Sequence, residues 1–301
     1  MSFIGRLFRK KKRERKITKF LSPEEAERAL ATNSDSLVRR DAANALGEVN
    51  SVDVVPALAK ALLEDSEKYV RQACADALGN IQGAEAEEAL LRTIGDPNND
   101  VRRSVLKALS KFDSEKSRKA LEDAIGDEDW VIRREAAHAL GETNSVDVIP
   151  ALVKALLEDS EKYVRQACAD ALGNIQGAEA EEALLRFIGD PNNDVMIDVR
   201  ISVMRALSKF DSEKSRKALE NALNDDHPEI RSSAEIYTGI KSKKKILCPF
   251  LTEFGRCKPP KARDRHTCSW EAMGRGHYTD CYVYKMHTHP GGVSDFMRRT
   301  L

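Results

Sequence analysis

Four cysteines near the C-terminus have the residue type and the spacing that could bind a metal ion. They are Cys248, Cys257, Cys268 and Cys281, separated by 8, 10 and 12 residues, and His266 lies two residues before the third. Four thiolates can form a closed ligand set for Zn²⁺ or for an iron–sulfur cluster, and an imidazole can replace a thiolate at zinc. The pattern predicts a metal site of these four cysteines, with His266 as the substitute ligand.

The segment that carries the cysteines, residues 241–301, is basic and poor in aliphatic side chains, yet it holds 7 of the 17 aromatic residues. About sixty residues of this composition cannot build a sufficient hydrophobic core. A structural zinc ion would supply roughly 10–16 kcal/mol of the missing stability. We favour zinc over an iron–sulfur cluster; two disulfides or four unliganded thiols are the alternatives.

Upstream of this module, one dipeptide recurs through residues 20–240 and defines a repeat. A Val or Ile followed by Arg is found with spacings of 32, 31, 31, 32, 35 and 31 residues. The arginines are Arg39, Arg71, Arg102, Arg133, Arg165, Arg200 and Arg231. A leucine follows each of the first six dipeptides at the eighth position after the Val or Ile. A fixed period of this length is typical of stacked helical arrays.

Each repeat is predicted to form two helices. In the first repeat Val38, Ala42 and Leu46 make an apolar stripe at helical spacing, and Gly47 is expected to form the left-handed cap. The second helix is predicted from Val54 to Glu64, with a proline in its first turn. The sequence therefore predicts an all-α fold, an α-solenoid of about six to seven helical hairpins, followed by the small Cys-rich module.

The array is predicted to begin with a capped helix. Ser22-Pro23-Glu24-Glu25 has the pattern of a capping box, with proline at the first helical position, and a helix is expected over residues 24–31. This helix would cover the apolar side of the first repeat.

The pattern Asp…Val-Arg…Ala…Ala-Leu-Gly resembles the PBS lyase HEAT-like repeats, over about 190 to 210 residues. The resemblance implies a HEAT-type solenoid and leaves the function open, because the family includes lyase subunits, metal hydroxylases and binding scaffolds. Deoxyhypusine hydroxylase is similar in its repeats but holds its irons through His-Glu pairs. The chain contains no His-Glu dipeptide, so that activity is not expected; a lyase-like activity is the enzymatic alternative.

The cysteine module has two partial resemblances. The run from Cys248 to Cys257 resembles the opening of a CCCH zinc finger, but the third cysteine comes too late and Ala272 stands at the expected histidine. The whole segment is more similar to short four-cysteine modules at the tails of prokaryotic proteins. Neither resemblance implies a defined activity.

A block of about three repeats is itself present twice in the sequence. Residues 66–101 match residues 160–195 at 35 of 36 positions, and residues 35–70 match residues 129–164 at 28 of 36. Both matches have a shift of 94 residues, or three repeats. A recent duplication explains this identity. The alternative hypothesis is that the two copies form two like binding subsites on one face of the array.

The arginines, aspartates and cysteines that recur in the repeats are predicted to have structural roles. The repeated arginines are expected to pair with carboxylates or carbonyls, with aspartates at the ends of the second helices as partners: Asp65, Asp96, Asp127, Asp159 and Asp190. Cys74 and Cys168 fall on the apolar stripe and are expected to pack in the core. His138 occupies a polar position and is expected at the surface.

The net charge of zero hides an uneven distribution. Residues 1–19 carry +8, residues 241–301 carry +8, and residues 20–240 carry −16. The leader, residues 1–19, places four apolar side chains before the basic run 9–13. It could therefore lie on an anionic membrane surface, contact nucleic acid or stay solvated.

We therefore predict a non-catalytic scaffold that binds protein partners on the solenoid face, with a metal-stabilised tail and no catalytic residue. Its expected location is the cytoplasm, with peripheral membrane contact as an option, because no transmembrane segment or secretory signal is found. The alternatives are an accessory subunit of an enzyme, either phycobilin-lyase-like or an iron–sulfur electron carrier, and nucleic-acid contact through the basic ends.

Overall fold

The computed structural model describes residues 22–143, 145–189 and 196–240, and these ranges contain fourteen α-helices and no strand. The helices are α1 Pro23–Thr32, α2 Ser36–Val49, α3 Val55–Glu64, α4 Lys68–Ile81, α5 Ala84–Arg92, α6 Asn99–Leu109, α7 Glu115–Ala124, α8 Trp130–Glu142, α9 Ile149–Glu158, α10 Lys162–Ile175, α11 Ala178–Gly189, α12 Ile197–Leu207, α13 Glu213–Ala222 and α14 Pro228–Thr238. Single 3₁₀ turns, Val52–Val54 and Val146–Val148, precede α3 and α9. The all-α prediction is confirmed.

The chain divides into two compact units, Met1–Ser215 and Arg216–Leu301. In the first unit, the first helices of successive repeats pack side by side in the order α2, α4, α6, α8, α10, α12. The second helices form another layer, in which α1 packs on α3, α3 on α5, α5 on α7, and α9 on α11. This two-layer stacking of hairpins is a solenoid, as the repeat predicts.

The predicted stripe forms the core between the layers. The six leucines at the eighth position after the Val or Ile are all fully buried: Leu46, Leu78, Leu109, Leu140, Leu172 and Leu207. Each single hairpin would leave this stripe exposed, so burial of these side chains depends on the neighbouring repeat. Stacking is therefore the main source of stability in this part of the chain.

The first helix begins as predicted. The Ser22 hydroxyl accepts a hydrogen bond from the Glu25 amide at 3.4 Å, and the Glu25 carboxylate accepts one from the Ser22 amide at 3.2 Å. These reciprocal bonds satisfy two amides that a helix start leaves without partners. Helix α1 then runs from Pro23 to Thr32, one residue longer at each end than predicted.

The predicted role of Gly47 is wrong. Helix α2 continues to Val49, and Asn50 adopts the left-handed conformation that ends it, with φ 54°. Gly47 is instead a contact point between repeats, where an added Cβ atom would lie 2.9 Å from the Ala77 Cβ atom of α4. The same contact recurs for Gly79 with Ala108, Gly141 with Ala171, and Gly173 with Ala206. These glycines let successive first helices approach closely.

Candidate functional site: a protein-binding edge

The repeated arginines form an ion-pair ladder along the first unit. Arg39 donates from Nε to Asp65 Oδ2 at 2.6 Å and from Nη2 to Asp65 Oδ1 at 2.9 Å, while its Nη1 binds the Asn33 carbonyl at 2.9 Å. The equivalent pairs to carboxylates are Arg71 with Asp96, Arg102 with Asp127, and Arg133 with Asp159. The structural role predicted for these arginines is confirmed.

Three aspartates of the ladder, Asp65, Asp127 and Asp159, each bind two arginines, one through the carboxylate and one through the backbone carbonyl. The Asp65 carboxylate pairs with Arg39, but its carbonyl accepts a hydrogen bond from Arg71 Nη1 at 2.8 Å. At Arg71, Arg133 and Arg165 the aspartate just upstream supplies its carbonyl, whereas Arg102 Nε donates to the Ile94 carbonyl at 3.2 Å. The carboxylate comes from the aspartate 25 or 26 residues downstream. Asp190, the expected partner of Arg165, lies outside the described residues. The ladder ties the loop between two repeats to both of them.

These pairs are largely withdrawn from solvent. In the Arg39–Asp65 pair the side chains are 14% and 7% exposed. Burial raises the pKa of the Asp65 carboxyl, but hydrogen bonds from Arg39 and from the Glu67 amide outweigh it, and the pKa lies below its usual value. The pKa of Asp127 and of Asp159 is lowered by the same combination of effects. The ladder arginines are thus engaged internally and do not form an anion-binding surface.

The loops that the ladder ties together lie along one edge of the array, where one repeat is followed by the next. It consists of the C-terminal ends of second helices and the N-terminal ends of the following first helices, which only a three-residue loop separates at α3–α4 and α9–α10. We call it the inter-repeat edge. Five of its large apolar side chains are exposed: Leu37, Leu63, Tyr69, Leu157 and Tyr163. Exposed apolar groups gathered along one edge indicate an interaction surface.

The second copy of the duplicated block holds the richer part of this edge, cluster 2, which comprises Trp130, Arg134, Leu157, Lys162 and Tyr163. The Trp130 and Tyr163 rings lie 5.6 Å apart in a tilted arrangement. The Arg134 guanidinium lies 5.4 Å from the Trp130 ring centroid, and Lys162 Nζ lies 5.3 Å from that of Tyr163. Lys162 Nζ also pairs with Asp198 Oδ2 at 2.7 Å. Cluster 2 thus places two cations against two aromatic faces, and one of these cations already has a carboxylate partner.

The first copy forms a smaller version, cluster 1, which comprises Leu63, Lys68 and Tyr69. Lys68 Nζ lies 5.2 Å from the Tyr69 ring centroid and pairs with Asp100 at 2.7 Å. The residue equivalent to Trp130 is Ser36, so Tyr69 has no aromatic neighbour at that position. The duplicated copies thus present like surfaces of unequal aromatic content.

The residues predicted to bind metal, Cys248, Cys257, Cys268, Cys281 and His266, all lie outside the described residues, as does the leader 1–19. Within residues 22–143, 145–189 and 196–240, no group of three or more His, Cys, Asp and Glu is arranged to hold a metal ion.

The two cysteines of the repeats behave as predicted. Cys74 and Cys168 are free thiols with no exposed surface, and burial raises the pKa of both. A buried thiol of raised pKa is a poor nucleophile. His138 is exposed, also as predicted.

A cleft of about 680 Å³ lies between α1 and α3. Three alanines line it together with charged side chains of both signs, among them Glu24, Arg28, Lys60 and Glu64. This mixture lacks the convergent polar groups of a small-molecule site. The inter-repeat edge is therefore the stronger candidate site.

Residues 24–79, 55–141, 88–169 and 149–237 each match the family described as HEAT repeats. The chain belongs to the HEAT-repeat family. No curated protein matches the chain. None of the helices in the described ranges has the length and hydropathy that a membrane span needs.

Two solved structures of enzymes match the chain at low identity. The complex of CpcE and CpcF of phycocyanin lyase from Nostoc sp. PCC7120 is 22% identical over 73% of this chain and 94% of that chain, with a TM-score of 0.46. Human deoxyhypusine hydroxylase is 21% identical over 72% of this chain and 83% of that chain, with a TM-score of 0.36.

A likeness to a karyopherin shows the HEAT fold most directly. Kap121p bound to the extreme C-terminus of the phosphatase Cdc14p is 12% identical, with a TM-score of 0.54. The match covers 71% of this chain and 29% of that chain. At this identity the comparison establishes the fold alone.

Proposed function

We propose that this HEAT-repeat protein is a non-catalytic scaffold that binds a protein partner along the inter-repeat edge. The observation that carries the proposal is cluster 2, where Trp130 and Tyr163 lie together with Arg134 and Lys162 at the surface. Tryptophan, tyrosine and arginine are the residues that most often dominate binding energy at protein interfaces. The ladder beneath them fixes the backbone of the edge, so little ordering is needed on binding.

The chemistry of cluster 2 defines the partner. The aromatic faces favour an apolar or aromatic side chain, and Arg134 favours a carboxylate beside it, whereas Lys162 already pairs with Asp198. Cluster 1 offers a weaker copy of the same surface three repeats away, on the order of 30 Å at the 8–10 Å spacing of packed helices. A partner with two such acidic and apolar segments would contact both clusters. Kap121p, which shares the fold, is bound to Pho4p in one solved structure and to the extreme C-terminus of Cdc14p in another.

Removing the aromatic side chains of cluster 2 should weaken partner binding without unfolding the array. We expect the W130A/Y163A variant to bind at least about 30-fold more weakly, since loss of interface anchors costs 2 kcal/mol or more. The measurement is quantitative mass spectrometry of proteins retained from native lysate by the full-length chain, followed by the Kd of the retained partner.

The matched control is V146A, which removes an exposed apolar side chain (55% exposed) from the 3₁₀ turn before α9, away from the inter-repeat edge. It should retain the same partners as the wild type, and both variants should keep the wild-type Tm. Equal binding by the W130A/Y163A variant and the wild type would contradict the proposal.

We further propose that the C-terminal module, residues 241–301, is a zinc-stabilised second contact. Its support is the set of four cysteines in a segment too poor in aliphatic residues to fold on its own core. Anaerobically purified full-length protein should contain about one zinc ion per chain, lost in the C248S/C268S variant. A visible absorption band with bound iron would assign an iron–sulfur cluster instead. Metal-free, folded protein would rule out both.

A further inference from the structure

Helix α6 joins cluster 1 to cluster 2. On one side, Lys68 of cluster 1 pairs with Asp100 of α6 at 2.7 Å. On the other side, the Asn99 side chain donates a hydrogen bond to Asp129, the N-cap of α8, which directly precedes Trp130 of cluster 2. The surface is therefore continuous from one cluster to the other, and a partner segment that contacts both in a straight path crosses α6.

The exposed side of α6 carries positive charge. Arg103 and Lys107 follow Asn99 at intervals of four residues, so the three side chains share one face of the helix, and Lys111 lies just beyond its last residue. Lys107 and Lys111 are exposed, and the Arg103 side chain is 41% exposed. Lys111 Nζ donates to the neutral side chain of Asn80 at 2.7 Å, a contact that leaves its charge uncompensated. We call Arg103, Lys107 and Lys111 the cation stripe.

Acids of the neighbouring first helices offset this charge only in part. Glu135 Oε2 of α8 lies 3.3 Å from Arg103 Nε, which is a long contact between charged groups. Asp76 of α4 interacts with the charges of Lys107 and Lys111, but burial raises the pKa of its carboxyl more than the two lysines lower it. The lysines therefore remain available to an anionic group from outside the array.

Neither neighbour of α6 carries the same charge. At the positions of the two lysines, α4 has Asp76 and Asn80, and α8 has His138 and Glu142. The cations thus lie between the two aromatic clusters and do not extend onto the adjacent helices. A ligand that matches this order has an anionic middle and an apolar group on each side of it.

We propose that the partner of the inter-repeat edge is a continuous acidic segment of polypeptide, whose carboxylates lie on the cation stripe and whose apolar ends reach the two clusters. The clusters are on the order of 30 Å apart, a distance that an extended chain spans with about nine residues. A polypeptide fits better than a nucleic acid, because residues 20–240 carry −16 and repel closely spaced phosphates. The inference rests on the proposed function, since it assigns the connecting part of the same partner.

The test uses the full-length chain and a fluorescent synthetic peptide, with Phe at each end and alternating Glu and Ser over about eight residues between them. A matched neutral peptide has Gln in place of each Glu. We expect the wild type to bind the acidic peptide about fivefold more tightly at low ionic strength, the size of effect that a few exposed charge pairs provide. Equal affinity for the two peptides, or no binding of either, would overturn the proposal.

Two variants locate the preference. K107Q/K111Q should bind both peptides with the affinity that the wild type has for the neutral one. K116Q/K119Q removes two exposed lysines from α7, in the other layer of the array, and should keep the full preference for the acidic peptide. Both variants should keep the wild-type Tm. An equal loss of preference in the two variants would mean that net charge alone matters, and would count against the cation stripe.

Two further measurements separate this inference from its alternatives. W130A/Y163A should weaken the binding of both peptides alike. If it does so while the wild type binds the two peptides equally, the inter-repeat edge binds a protein but the connecting segment is not acidic. A short single-stranded DNA that binds more tightly than the acidic peptide, and is lost in K107Q/K111Q, would assign the stripe to nucleic acid and overturn the proposal.

Discussion

The R133M variant should lose about 3–5 kcal/mol of unfolding free energy in the repeat array. Methionine keeps the apolar stem of the side chain but leaves the Asp159 carboxylate, whose side chain is 7% exposed, without its partner. Removing one member of a buried ion pair is strongly destabilising for this reason. The measurement is urea unfolding of the full-length chain, followed by circular dichroism, with attention to any loss of two-state behaviour.

Two further variants test the cause. R133M/D159N removes the stranded charge and keeps an acceptor for the Glu161 amide, so it should recover much of the loss. K119M breaks an exposed pair with Asp123, whose side chains are 68% and 65% exposed, and should change stability by less than about 1 kcal/mol. A loss in K119M as large as that in R133M would show that burial does not set the cost.

The Arg133–Asp159 pair should also make the stability of the fold depend on pH in the acid range. The Asp159 pKa is lowered in the folded state: burial raises it, and bonds from Arg133 and the Glu161 amide outweigh that effect. The pair therefore stabilises the fold above the unfolded pKa of aspartate, and this stability is lost as the pH falls through the lowered folded pKa. The stability of R133M should consequently depend less on pH in the acid range than that of the wild type.

The repeat itself was predictable from sequence because one spacing fixes both the helical period and the stacking period. A buried leucine eight residues after each Val or Ile requires that the first element of the repeat is a helix. The arginine next to that Val or Ile lies on the same helix, two turns before the leucine, and its charge needs a partner. The choice of partner was not predictable in detail. Asp65 lies close in sequence to Arg71, but the two-layer stacking places its carboxylate against Arg39.

A second contact between repeats was not predicted from the sequence. Glu87 of α5 accepts hydrogen bonds from Ser114 and Ser117, and Glu181 of α11 accepts them from Ser212 and Ser215. Burial raises the pKa of Glu181, but bonds from Ser212 and Ser215 lower it below its usual value. The duplicated Ser-x-x-Ser spacing was a visible signal, but only the packing of α5 near α7 shows which acid it serves.

The candidate edge was likewise only partly predictable. The sequence indicated a partner-binding face but not the residues that form it. Whether the side chain before a buried Val is exposed depends on how much of it the neighbouring repeat covers. Tyr69 and Tyr163 precede the buried Val70 and Val164 and remain 57% and 47% exposed. The pairing of Trp130 with Tyr163 joins two repeats. It follows from the stacking of α8 on α10 and not from any local motif.

Gly141 lies at the interface between those two helices, against Ala171 of α10. A Cβ atom added there would lie 2.7 Å from the Ala171 Cα atom and 2.8 Å from its Cβ atom. We expect G141V to cost about 3 kcal/mol of unfolding free energy, because α8 and α10 must separate and overpacking of a filled interface costs 1–3 kcal/mol or more. Urea unfolding of the full-length chain measures the loss.

Valine has a higher helix propensity than glycine, and this gain offsets only a small part of the loss. G95V is the matched control, because a Cβ atom at Gly95 meets nothing within 4 Å, and its stability should change little. The G141V/A171G variant distinguishes steric contact with the side chain from contact with the backbone. Since the nearest atom is the Ala171 Cα, removing the Ala171 methyl group should restore only a minor part of the stability. Full restoration would show that the methyl groups alone set the helix separation, and that the backbones of α8 and α10 have room to spare.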